Sequence, residues 1–503
     1  VNRIKIGFLL IFIIFFSIGC VSTDNYSNQQ IIPPNNLTIS VQGTWEITNI
    51  LNQQSTEEKS PQQWIGRTLQ FSSEFAVMGE ELLTNPRYQI KRVDAEEYLF
   101  YHLKAFPETF RFSDKEVDVI TITDQDRFYC EVLKQKDDEL VLKIYNDSFI
   151  IKKISTEVDS NIVNMLNEGS SVIDNVKGSQ EDELLLTGVL VGLRSTPQKT
   201  GTAEHVNNYR TLWISAKNKQ LQPLAETEDL FFPRRSGFWK LEVKSITDNG
   251  RTEEFPIAYN ILAREDNPIH DLIIDPELWE GREGRIYREV NYVGNDYVSI
   301  EETAKGIYQG GEEWKEKHLK ILAIDSLPNI KGVDIFDLLG AAGIEAMDAG
   351  IQRLLEERVG DKIIGSEVER DNFGLERRLG HWFFKGKVNY MKNQESFSAD
   401  YNINLIPPSK LIFYDELSVP WTNAKDKIPS TVDLYTSPNK DIAIVVTKKE
   451  LMVYGIDGGK LQQEPLQRIT LRENETVIMA EWAIGHYVEN WNKTLNNYIN
   501  KSR

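Results

Sequence analysis

The chain has 503 residues, with 57 Lys and Arg against 76 Asp and Glu and a formal charge of −19. Binding to nucleic acid or to anionic lipid needs a basic surface, so this balance excludes both as the main role. At roughly 100–200 residues per domain the length calls for two to four domains, and two cysteines are too few for a disulfide framework.

The chain opens with a secretory pattern. Arg3 and Lys5 make a basic start, residues 6–18 (IGFLLIFIIFFSI) are almost purely apolar, and Ser17-Ile18-Gly19-Cys20 puts small residues at a cleavage point. A spanning helix takes roughly 20 apolar residues, which this run does not reach. The segment resembles the signal peptide and lipobox of bacterial lipoproteins, with Ser17 where Leu is usual. The resemblance implies a signal peptide over residues 1–19, lipidation of Cys20, and a chain held at the cell membrane by that lipid on its extracytoplasmic side. Acyl chains give about 0.8 kcal/mol per buried methylene. With Cys20 used in this way, Cys130 is expected as a small buried residue on a strand.

Residues 20–39, rich in Asn, Gln, Ser and Pro, read as a flexible tether. Over 40–155, alternating runs (RTLQFSS, EEYLFYHL, DVITITD, RFYCEVLKQ, LVLKIYN) predict antiparallel strands, about seven of them, closing or nearly closing a β-barrel. Ser60-Pro61 predicts the start of a short helix through Trp64. Gly43-Thr44-Trp45 at the head of the first strand resembles the Gly-x-Trp of lipocalin-type barrels. That resemblance implies Gly43 and Trp45 at the barrel floor, with Lys152 or Lys153 covering the indole. The second lipocalin signature is absent, so the barrel shape carries over and the ligand does not.

Residues 156–183 are polar and read as a linker. From 184 to 503 strands dominate, with helical spacing at 333–359 that Gly340 and Gly343 should break in two, and a short closing helix. Strands are expected at HDLIID and KLIFYDEL among others. Arg234-Arg235-Ser236-Gly237-Phe238-Trp239 is echoed 143 residues later by Arg377-Arg378-Leu379-Gly380-His381-Trp382. Repetition points to a β-propeller, where the spacing would fit roughly three blades, or to duplicated β domains. The fold class is thus mainly β: a lipocalin-like barrel followed by a larger β-rich region with a helical insertion.

Catalytic signatures are lacking. The six His fall at no metal-ligand spacing, and no metal, cofactor, nucleophile elbow or phosphate loop is expected. Carboxylate pairs such as Glu301-Glu302, Glu312-Glu313 and Asp275-Pro276-Glu277 read as solvated surface. Trp213, Trp239 and Trp382 are expected in the core, and Trp279, Trp314 and Trp421 at the surface. The sharpest candidates are the two Arg pairs: Arg234, Arg235, Arg377 and Arg378 beside Trp239 and Trp382 could grip a carboxylate or phosphate. Alternatively they pair with nearby acidic residues. The expected role is binding or scaffolding at the cell envelope, with a small molecule, an envelope component or a protein as partner. The alternatives are a hydrolase using a carboxylate pair in the distal region, and a sensory or assembly subunit of a membrane complex.

Overall fold

The computed structural model describes residues 39–503, apart from 53–60, 80, 111, 113, 125–126, 135, 145–146, 160–161, 163–184, 197–206, 263–271, 275–278, 358–361, 364–368, 393–394 and 503. The leader, Cys20, most of the 156–183 linker, His205, His270 and Asp275-Pro276-Glu277 lie outside the described residues. Residues Ile39–Arg503 form one compact unit.

The first part is a single curled sheet of nine antiparallel strands: β1 (Gly43–Asn52), β2 (Thr68–Phe71), β3 (Phe75–Met78), β4 (Glu81–Thr84), β5 (Arg87–Asp94), β6 (Glu116–Asp124), β7 (Arg127–Lys134), β8 (Glu139–Ile144) and β9 (Asp147–Ser155). Their order is β4-β3-β2-β1-β9-β8-β7-β6-β5, a meander joined through β1 and β9 and open between β4 and β5. The result is a half-barrel. Asn85, in the left-handed region at φ 53°, and Pro86, which has no N–H to give, turn the chain away where that seam would close.

Trp45 is fully buried inside the curl, its Nε1 donates to the Val41 carbonyl at 2.8 Å, and the Lys153 ammonium lies 4.8 Å over its ring. Gly43 has φ +128°, and a Cβ there would stand 2.3 Å from the Ser155 carbonyl oxygen, so the β1–β9 contact demands glycine. Cys130 is buried on β7, as its alternation indicated.

Both faces of β6–β8 are covered. Ile120, Ile122, Val132, Leu140 and Leu142 face the inner core, whereas Val117, Val119, Leu133 and Val141 meet two helices outside it. These are α1 (Ala95–Leu103) and the single turn α2 (Pro107–Phe110). The run EEYLFYHL, expected as a strand, is therefore helix. Asp94 caps it by accepting from the Glu97 N–H at 2.9 Å, and Ala95, Leu99 and Leu103 fall on one face at helical spacing. Strands β3, β4 and β5 were not expected. Pro61–Trp64 is a short 3-10 turn, where a helix start was read.

The second part consists of four smaller sheets in a propeller-like ring. Its first sheet holds β10 (Leu186–Ser195), β11 (Asn208–Lys217), β12 (Gln220–Leu221) and β13 (Ala225–Glu228). The next contains β14 (Leu230–Arg234), β15 (Gly237–Asp248), β16 (Arg251–Asn260), β17 (Arg282–Val293), β18 (Tyr297–Tyr308) and β19 (Glu313–Ala323). A short parallel pairing of β16 with β17 joins its two antiparallel halves. Helices α3 (Ile335–Leu339) and α4 (Ala341–Glu357) follow, broken at Gly340, whose φ is +67°. They pack on the sheet of β20 (Lys362–Ile363), β21 (Phe373–Arg378), β22 (His381–Lys392) and β23 (Glu395–Ile403). After α5 (Trp421–Lys427), the last sheet is built from β24 (Asp433–Thr436), β25 (Ile442–Val446), β26 (Glu450–Asp457), β27 (Lys460–Leu461) and β28 (Gln467–Thr470).

β29 (Glu475–Ile484) then returns to the first sheet and pairs with β10, Thr187 opposite Ile484 and Ser195 opposite Glu475. The last strand thus closes the ring on its first. β10 lies between β11 and β29 and is buried on both faces, Leu190 in one core and Val189 and Val191 in another, which its unbroken apolar run reflects. The terminal helix α6 (His486–Ser502) lays Val488, Trp491 and Leu495 on the core that holds Trp213, Phe231 and Phe238.

In the second part, two more expected strands are not strands where the structure describes them. KLIFYDEL crosses between sheets as a turn, with the Leu411 and Ile412 N–H groups both donating to the Pro408 carbonyl. Leu411, Ile412 and Leu417 are buried while Phe413 is 81 % exposed, so its apolar content reflects anchoring points along a connection. The described part of HDLIID, residues 272–274, is irregular.

Candidate functional site

The two Arg-Arg copies fall on hairpins of successive sheets, not three blades apart. Their registers also differ. Arg234 stands opposite Gly237 in the β14–β15 hairpin, whereas Arg378 stands opposite His381 in the β21–β22 hairpin, a slip of one residue in the motif. The chemistry of the leading arginine is nevertheless the same in both. Arg234 Nη1 and Nη2 donate to Asp325 at 2.6 and 2.9 Å, Nη2 also reaches Asp296 at 3.2 Å, and the guanidinium lies 4.6 Å over the Trp239 ring. Arg377 donates to Asp415 at 2.8 Å and, through Nε and Nη2, to Asp433 at 3.0 and 2.9 Å. It stacks 5.1 Å over Trp382 and 4.0 Å over Tyr435.

The trailing arginines differ. Arg235 is exposed, and Arg378 lies 4.4 Å over the Tyr101 ring of α1 with Glu376 at 3.5 Å. The structure therefore distributes the four guanidinium groups. Each leading arginine has its donors committed to two aspartates, and their partners come from distant segments rather than the adjacent acidic stretch. Trp382 is buried and Trp239 partly so.

Asp415 is the node between the half-barrel and the ring. It accepts from Lys104 Nζ at 2.5 Å, Arg377 Nη1 at 2.8 Å and the Trp382 N–H at 2.9 Å, and its backbone carbonyl meets His381 Nδ1 at 3.0 Å. Burial alone would raise this carboxyl, but Lys104, His381 and Arg377 reverse that and hold it well below the usual range. Burial, and then the Lys104 charge, push His381 down to about 4, so its imidazole is neutral at neutral pH. Around this node Phe100 and Tyr101 of α1 pack on Phe383, and Glu96 accepts from Asn404 at 3.1 Å. These groups are spent on one another, and the arrangement is a tie between the two parts.

The remaining candidates are placed as follows. His102 stacks on Tyr98 at 4.2 Å and His318 pairs with Glu369 at 3.3 Å. Among the described residues no three or more His, Cys, Asp or Glu gather to hold a metal. Glu301 is paired with Lys317 and Glu302 with Arg288 and Lys320. Trp279 and Trp314, expected at the surface, are buried at 0 % and 6 % exposure, edge to face in a core of their own. Their polar sequence neighbours misled because the surroundings that cover them, Ile286 and Ala304, come from β17 and β18.

Sequence reasoning missed a groove on the last sheet, about 1240 Å³ in volume. Its lining includes Lys425 and Lys427 from the end of α5, Lys448 and Lys449 from the β25–β26 turn and Arg468 from β28, together with Glu450 and Glu464. Ile428, Met452 and Tyr454 also belong to the lining. The turn is rigid. Thr447 Oγ1 accepts from the Lys449 and Glu450 N–H groups at 3.2 and 3.0 Å, which aims the two lysines outward. Within the groove Lys425 Nζ donates to the Thr431 carbonyl at 2.8 Å, Lys427 sits 5.7 Å over the Tyr454 ring, and Arg468 pairs with Glu450 at 3.0 Å. Among the described residues no ion pair engages Lys448 or Lys449. On a chain of −19 this local excess of cations is an attractive site for an anion. The Lys-Lys pair in the TKKE turn was its visible signal, but its apposition to Lys425 depends on the fold. A smaller recess of about 770 Å³ near Gly284 and Trp314 mixes Arg285, Lys305 and Lys315 with Glu283 and Glu313.

No protein-family profile matches the chain, and a search of curated proteins finds none significantly similar to it.

Proposed function

We propose that this chain is a membrane-anchored lipoprotein that faces the extracytoplasmic side and serves as a binding or scaffold protein of the cell envelope. The observation that carries the binding role is the cation-lined groove on an otherwise acidic molecule. The placement rests on the basic start, apolar run and Ser17-Ile18-Gly19-Cys20 of the leader. A lipocalin-like half-barrel next to the tether, with Trp45 beneath Lys153, fits a rigid pedestal for the ring. Asp415 and its partners fix the ring on that pedestal, which suits presentation of a surface at a set orientation.

The test is the mass of the mature protein from its native host and its partition between membrane and soluble fractions. An N-terminal Cys20 carrying acyl chains, with release of the Cys20→Ala variant from the membrane, is the expected result. A mature chain that retains residues 1–19, or that lacks lipid, ends the proposal of an anchor.

A further inference from the structure

We propose that the groove between α5 and the β25–β26 turn binds an extended polymer whose repeating anionic group is a phosphodiester. This rests on the binding role above and names the ligand class for it. Three features of the groove support the choice.

The first is shape. Cations from two separate elements line one concavity, Lys425 and Lys427 from the end of the helix and Lys448 and Lys449 from the turn. A thread enters such a trough and meets both sets, whereas a flat bilayer surface meets only the rims. The second is the kind of cation. Arg468, whose planar fork could hold one anion bidentately, is already paired with Glu450. Lys448 and Lys449, exposed at the turn, are point charges with rotatable donors, which can follow phosphate oxygens along a flexible chain. The third is the poverty of free ring faces. Binding of single-stranded nucleic acid relies on aromatic platforms for the bases. The aromatic ring lining this groove, Tyr454, has the Lys427 ammonium over its face. The half-buried Ile428 in the lining offers apolar surface to the carbon backbone of a polyol phosphate instead.

The experiment uses the full mature chain and poly(glycerol phosphate) as the probe, with binding followed by calorimetry. Saturable binding that weakens by at least about tenfold when salt is raised from low to several-hundred millimolar is expected, since exposed charges more than a Debye length apart are then screened. The exposed pair Lys448→Glu with Lys449→Glu should weaken binding by about tenfold or more, while Lys331→Glu, at an exposed site outside the groove, leaves it unchanged. A circular-dichroism melt checks that the double variant is folded, and Lys448→Gln with Lys449→Gln should give an intermediate loss. Failure to bind the polymer, equal binding by the charge-reversed variant, or stronger binding to vesicles of anionic lipid or to single-stranded DNA overturns the proposal. An uncharged glycan that binds and is lost in the same variant also overturns the phosphodiester assignment, yet leaves the binding role standing. Loss of the anchor in the Cys20→Ala variant bears on placement and not on this groove.

Discussion

Asp415 concentrates more of the molecule's electrostatics than any sequence motif suggested. Three donors converge on its carboxylate, and its neighbour Arg377 is in turn divided between Asp415 and Asp433. Asp415→Asn leaves Lys104 and Arg377 short of a buried counter-charge. It should cost about 3–5 kcal/mol, readable as a lower urea midpoint.

Two single groups set opposite pH limits. His381, pushed down from 6.5 to about 4, binds fewer protons folded than unfolded, so its share of stability is present above 6.5 and lost as pH falls toward 4. Glu481 on β29 is pushed by burial up from 4.5 to about 8, with Asn295 positioned to donate to it at 3.2 Å. The folded chain holds that proton where the unfolded chain releases it, so stability from this group is present below 4.5 and lost as pH rises toward 8. Glu481→Gln should flatten the alkaline side of a melting-temperature profile, gaining no more than about 2 kcal/mol at a partly solvated site.

Among the elements, α1 bridges the two parts, because one face packs on the half-barrel while Phe100 and Tyr101 grip Phe383 of the ring. Its cap is accessible to test: Asp94→Ala should destabilise by about 1 kcal/mol, seen in thermal unfolding. The same helix shows what the sequence could and could not tell. EEYLFYHL is apolar and aromatic enough for a strand, and it sits between strands, but Asp94 before it and the 95-99-103 spacing carried the helical signal. KLIFYDEL misled for another reason, since a connection between sheets must also bury a few apolar side chains to be held. By contrast β10, β11, β22 and β25–β26 were legible, as long β-branched or aromatic runs bounded by turns. The Gly340 break was legible too, because a glycine at that φ ends a helix whatever surrounds it. The Arg-Arg copies were visible as text, yet their carboxylate partners lie 38 to 91 residues away and no local pattern announces them. The groove was least legible, being assembled from α5, the β25–β26 turn and β28.

On the scale of the whole molecule, closure of the ring depends on the pairing of β10 with β29 and on one buried ion pair beside it. Arg210 Nε and Nη2 donate to the two Glu475 oxygens at 2.7 and 2.6 Å, where the Glu475 side chain is 1 % exposed. Glu475→Gln should cost about 2 kcal/mol, because it takes a charged partner from a buried guanidinium that keeps Glu226 at 3.1 Å. The loss ought to show first as faster hydrogen exchange along β10 and β29, ahead of the half-barrel.

That clasp imposes an order on biogenesis. A growing polypeptide makes Leu186–Ser195 early, and the strand that will cover its free edge comes last, at Glu475–Ile484. Throughout that interval an apolar ribbon offers unpaired amides and carbonyls to any neighbour, so a nascent or truncated copy is the form most exposed to misassociation and most in need of a chaperone.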